Sequence, residues 1–160
     1  MLLEILYLLL MRVGMPIVKE IKQHKILLDT HVWIWIAEGN PIISPPTRKA
    51  IERARENDHL LIAPISIWEI SMLVERKRII LDMDITDWLK QWIELPGILM
   101  AEFTFQVAIL SNRLPNLTHS DPADRILIAS AYEENAVLVT ADEKILKFGQ
   151  DQFISVYDPT

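Results

Sequence analysis

Short apolar runs, each too brief to be a buried helix, recur along this chain and limit what it can fold into. They are Ile26–Leu28, Leu60–Ala63, Ile98–Ala101, Ala136–Val139 and Phe153–Val156, and each reads as a buried strand. Between them lie stretches of helical length. Thr30–Glu38 closes at Gly39-Asn40-Pro41, and Thr47–Asn57 is polar enough to be a solvated helix. Ser66–Lys77, Phe105–Arg113, Pro122–Glu134 and Glu143–Phe148 follow the same rule. Asp84–Leu95 sets Ile85, Trp88, Leu89 and Trp92 at helical spacing before Pro96-Gly97. Strands separated by helices imply right-handed crossovers and a parallel sheet covered on both faces. In such sheets ligands gather beyond the carboxyl ends of the strands.

That rule gives meaning to four acids. Asp29 directly follows the first run, and Asp142 follows the fourth by way of Thr140-Ala141. Glu69 is expected in the first turn of the helix after Leu60–Ala63, and Asp124 in the first turn of the helix opened by Pro122. Each has a plain structural explanation. Asp29 and Asp142 suit helix N-caps, Ser66-x-x-Glu69 fits a capping box, and Asp121-Pro122-Ala123-Asp124 combines an N-cap, an N1 proline and a first-turn acid. Taken together they are harder to explain that way. Carboxylates crowded at one edge repel, and some would be driven to hold protons unless a cation lies between them. Oxygen-only ligands favour Mg²⁺ or Mn²⁺ over zinc.

Composition narrows the function classes. With 160 residues the chain suits one core. It has no cysteine, which excludes disulfides and thiolate chemistry and suits the cytoplasm. The net charge of −6 argues against gripping nucleic acid mainly through lysine and arginine. A bound divalent cation would offset the acids locally. The opening stretch Met1–Val18 is apolar but broken by Glu4 and Arg12, short of the ~18 uninterrupted residues a membrane span needs. The early Glu4 also argues against a secretory signal. It reads as an extra amphipathic helix or a translated upstream extension, with Met11 and Met15 as alternative starts, and no stable membrane association is expected.

The segments LLDTHVWIW (Leu27–Trp35), SIWEIS (Ser66–Ser71), LPNLTHSDPADRILIASA (Leu114–Ala131) and LVTADEKIL (Leu138–Leu146) resemble, in order and spacing, the PIN-domain toxins of VapC type. The resemblance runs from about Ile26 to about Val156, and the family's acids fall on Asp29, Glu69, Asp124 and Asp142. It implies a three-layer α/β/α sandwich with a mainly parallel sheet, with residues 1–24 as an extension and 25–160 as the PIN domain. It also implies an Mg²⁺- or Mn²⁺-dependent endoribonuclease, a dimer, neutralised by a small antitoxin encoded beside it. Relatives often carry an aromatic residue where Ala123 stands.

On this reading the cation activates water against an RNA phosphodiester. Asp29 and Asp124 are the expected direct ligands. Glu69 and Asp142 bind the metal directly, through water, or orient the nucleophile. Asp121 and Thr140 are candidates for fixing the ligands in place, against the simpler roles of N-cap and strand-end hydroxyl. Arg125 is a candidate for phosphate or for pairing with Asp121, and His31 and His119 flank the crevice. Of the tryptophans, most are expected in the core, Trp68 among them. Trp33 and Trp35 cannot share a helix face, so one is expected to meet another chain. A catalytically silent PIN-fold binding module is the alternative. An aspartyl-phosphate hydrolase would want a second aspartate where His31 stands, and a DNA flap nuclease would want a longer chain.

Overall fold

The computed structural model describes residues 24–115, 121–150 and 153–160. The expected N-terminal helix and His119 lie outside them. Within the described residues the elements run β1 (Ile26–Leu28), α1 (Thr30–Ala37), α2 (Pro45–Glu56), β2 (Leu60–Ile62), α3 (Pro64–Glu75), α4 (Ile85–Ile93) and β3 (Ile98–Met100). They continue with α5 (Phe105–Arg113), α6 (Pro122–Glu133), β4 (Val137–Val139), α7 (Glu143–Gly149) and β5 (Ser155–Tyr157).

The five strands form one sheet in the order β3-β2-β1-β4-β5, and every pairing is parallel. Alternation along each short strand divides the core in two. Ile26 and Leu28 face one layer with Leu60, Ile62, Val137 and Val139. Leu27, Leu61 and Leu138 face the other, beneath Leu127 and Ile128 of α6 and Ile145 of α7. This is the expected α/β/α arrangement.

The chain builds outward from β1 through β2 to β3, then returns to the other side of β1 for β4. The crossovers leaving β1 and β4 therefore diverge, and a crevice opens at the carboxyl ends of these two neighbours.

Proline moves two helix starts ahead of their expected positions. Pro45 and Pro64 each occupy the first helical turn, where a missing N–H costs nothing. So α2 starts before Thr47 and turns Thr47, Ala50, Ile51 and Ala54 inward, with the expected solvated face opposite. In α3 the N-cap is Ala63, and Ser66 lies inside the helix with its hydroxyl buried. The expected Ser66–Glu69 capping box is absent for that reason, and Glu69 belongs to the second turn. The last strand is Ser155–Tyr157, two positions beyond the start expected for it.

The tryptophans also depart from expectation in one place. Trp33 is fully buried, tilted against Trp88 at 5.6 Å and edge-on to Trp92 at 6.5 Å. Trp35 packs half-buried against the same core layer. Trp68, expected inside, is 57% exposed, because Ser66 and Ile70 form the inward face of α3 and leave position 68 on its outer side.

Candidate active site

One residue beyond the Leu28–Val139 pair, the β1–β4 register brings Asp29 alongside Thr140. The Asp29 N–H continues the ladder to the Val139 carbonyl at 3.0 Å. Asp29 has the extended backbone of an N-cap for α1, yet its side chain makes no capping hydrogen bond. Its Oδ2 instead accepts a 2.5 Å hydrogen bond from the Thr140 hydroxyl, with Asp29 only 6% exposed and Thr140 fully buried.

Thr140 also reaches the next acid. Its Oγ1 accepts the Asp142 N–H at 3.0 Å. Asp142 does cap α7, its Oδ1 accepting the N–H groups of Lys144 at 2.8 Å and Ile145 at 3.0 Å. One buried hydroxyl thus joins two of the four acids. Another performs the same service for a third: Thr30, at the start of α1, donates from Oγ1 to Glu69 Oε2 at 2.5 Å. Thr30 was not singled out from the sequence, although a hydroxyl directly after the strand-end aspartate was the available sign.

The remaining acids come from α6, which packs against α3. Asp121 is its N-cap, with Oδ1 accepting the Ala123 N–H at 2.9 Å. Asp124 lies half-buried in its first turn. Arg125 donates from Nε to the Ser111 carbonyl of α5 at 2.7 Å, tying the start of α6 to its neighbour. His31 is exposed on α1.

Charge links these groups beyond the direct bonds. Burial pushes the Asp29 carboxyl above its ordinary value; the Thr140 hydroxyl and His31 oppose this, and the charge of Asp142 adds to it. Burial likewise raises Glu69, against the Thr30 hydroxyl, and the charges of Asp29 and Asp121 push it further. Asp29 therefore feels the charge of Asp142, and Glu69 those of Asp29 and Asp121. Among the described residues no three His, Asp or Glu side chains are drawn close enough to form a ready-made metal cage. What fits a cation is the donor chemistry. The donors are hard oxygens, two are raised by burial, and a positive ion would relieve both the desolvation and the repulsion.

A family model for the PIN domain matches residues 26–150, from the start of β1 to the end of α7. The chain belongs to the PIN-domain family. The PIN domain is 33% identical over 132 residues to Ribonuclease VapC22 of Mycobacterium tuberculosis, covering 82% of this chain and 98% of that protein. Among solved structures it resembles the DNA-bound VapBC of Salmonella typhimurium, with a TM-score of 0.62, 17% identity, and coverage of 86% of this chain and 100% of that one. VapBC-1 of nontypeable Haemophilus influenzae gives a TM-score of 0.61 and 18% identity, over 83% and 96%. At such identities the structural likeness speaks for the fold of the PIN domain.

Proposed function

We propose that this PIN domain, residues 25–160, is an Mg²⁺- or Mn²⁺-dependent endoribonuclease and the toxin of a toxin–antitoxin pair. The observation that carries the reading is the buried Asp29–Thr140–Asp142 linkage at the β1–β4 crevice, with Glu69 held beside it by Thr30. Asp29 is buried, and a buried carboxylate without a task is a cost. The name of the curated relative, which this chain matches over nearly all of its length, supports ribonuclease activity. The VapBC assemblies sharing the fold support a small antitoxin as partner.

Asp29, Glu69, Asp124 and Asp142 would hold the cation. When bound, the cation supplies polarisation of the phosphodiester and activation of water. The chain's own contributions are orientation and proton affinity. Thr140 fixes Asp29 Oδ2, so the carboxylate plane is set before any ligand arrives. Thr30 engages Glu69 Oε2, leaving Oε1 outside that bond, and a carboxyl with raised proton affinity suits accepting a proton from water. Asp121 orders the start of α6 and so the position of Asp124.

A homodimer fits the exposed Phe103, Phe105 and Ile109 at the β3–α5 edge, an apolar patch that a second copy would cover. No helix among the described residues is long and apolar enough to cross a membrane. The cytoplasm is the compartment that RNA as substrate requires.

The test is cleavage of a panel of structured RNAs by the purified protein in Mg²⁺, in EDTA and as Asp124→Asn. Cutting only by the unmodified protein with metal is the expected result. Equal cutting in all three arms identifies a contaminant and removes the enzyme assignment, leaving the silent binding module.

A further inference from the structure

Trp68 is the most exposed tryptophan described, and it directly precedes Glu69 in α3. Successive helical residues project about 100° apart, so the indole stands just outside the flank where Glu69 meets Thr30. Its neighbours one turn away are Pro64, Ile65, Ser71 and Met72, none of them a large exposed apolar side chain. A lone ring with such a border is a poor seat for a protein helix, which needs a contiguous apolar groove. It has the size and surroundings to take a single flat ring.

We infer that Trp68 is a substrate-binding residue that stacks on an unpaired RNA base beside the phosphate presented to Glu69. The inference rests on the ribonuclease reading and adds to it the residue that would receive the base next to the cut. Bases in an A-form duplex are stacked on each other and have no free face to offer, whereas splayed bases stack readily on aromatic side chains. The charge balance points the same way. A chain of net charge −6 gains little from phosphate neutralisation, and stacking supplies affinity that does not depend on opposite charge.

The experiment measures binding and cutting separately. A fluorophore-labelled, unstructured oligoribonucleotide of mixed sequence, and the same strand annealed to its complement, are titrated with unmodified protein, Trp68→Phe and Trp68→Ala. Binding is read by anisotropy in EDTA at rising salt, and cleavage by gel in Mg²⁺. Thermal melting confirms that the variants fold, as expected for an outward side chain. Trp68→Ala should bind the single strand roughly tenfold more weakly, with Trp68→Phe close to the unmodified protein. The gap should persist as salt rises, and should vanish on the duplex. Equal binding of the single strand by all three proteins overturns the inference, even if metal-dependent cleavage proceeds and the nuclease reading stands. A stacking gap without cleavage removes the nuclease reading and, with it, the inference that the stacked RNA is a substrate. Trp68→Ala that binds RNA normally but loses a co-expressed antitoxin makes the ring a protein contact, and overturns it as well.

Discussion

The two ends of the parallel sheet treat the same kind of residue in opposite ways. At the amino end, Glu134 follows α6 and pairs with Lys25 just before β1 at 2.8 Å, with the lysine side chain 43% exposed. At the carboxyl end, Asp29 is buried, leans on a hydroxyl rather than a cation, and sits near the charges of Asp142 and Glu69. An ion pair still open to solvent on its lysine side changes stability modestly, whereas buried carboxylates cost stability until something positive reaches them. The difference teaches that the amino end is finished by folding alone and the carboxyl end is left chemically unfinished. Fold and candidate site are thus two ends of one sheet.

The comparison breaks most sharply through Asp124→Asn. If the carboxyl end exists to hold a cation, cleavage should fall by at least about a hundredfold, measured on a cleavable RNA in Mg²⁺, while thermal melting in EDTA stays close to that of the unmodified protein. Normal cutting by that variant would remove α6 from the site.

Thr140→Val tests the hydroxyl that joins two acids. Cleavage should drop about ten- to a hundredfold, and chemical denaturation should show a loss of about 1–3 kcal/mol, because a buried carboxylate loses its donor. A change in stability without one in activity would make the linkage purely structural.

The third prediction concerns pH in the absence of metal. Because burial raises Asp29 and Glu69 in the folded state, both hold protons more firmly there than in the unfolded chain. Their contribution is fully present below the ordinary carboxylate range and is lost as pH rises through the raised folded values. Stability in EDTA should therefore decline with pH just above that range. Asp29→Asn should flatten part of the slope and melt a few degrees higher near neutrality, roughly the shift expected for ~1 kcal/mol. Added Mg²⁺ should raise the melting temperature of the unmodified protein and leave that of Asp29→Asn nearly unchanged. An unaltered slope in the variant would mean that Asp29 carries no unrelieved charge.

The smallest effect belongs to the other end. Glu134→Gln should cost less than about 1 kcal/mol, fading in high salt, with cleavage unchanged. A large loss there would erase the contrast between the ends.

How much of this was legible in the sequence varied by element. Apolar runs flanked by turn residues marked β1 and β4 and the acids directly after them, because a strand only three residues long leaves little choice of register. The helix expected over Asp84–Leu95, found as α4, and α5 from Phe105 to Arg113 followed from local periodicity. The start of α3 did not, since Ser66 was read as its beginning and Pro64, in the first turn, sets it two residues earlier. That shift moved Glu69 into the second turn, made Ser66 an inward residue and set Trp68 outside. The role of Thr30 was equally out of reach, because its partner lies 39 positions away.

By itself the sequence determined the alternation of strand and helix, the parallel class of the sheet, and the presence of an acid beyond β1 and another beyond β4. These follow from interactions within a few residues, where periodicity, caps and turns act. The tertiary structure alone decided that Thr140 would bind the Asp29 carboxyl, that Glu69 would be held by Thr30, and that Trp68 would stand in solvent. Those outcomes depend on which distant segments meet and how much water their meeting expels. Desolvation of a charge is a property of the assembled crevice, not of any short stretch of chain.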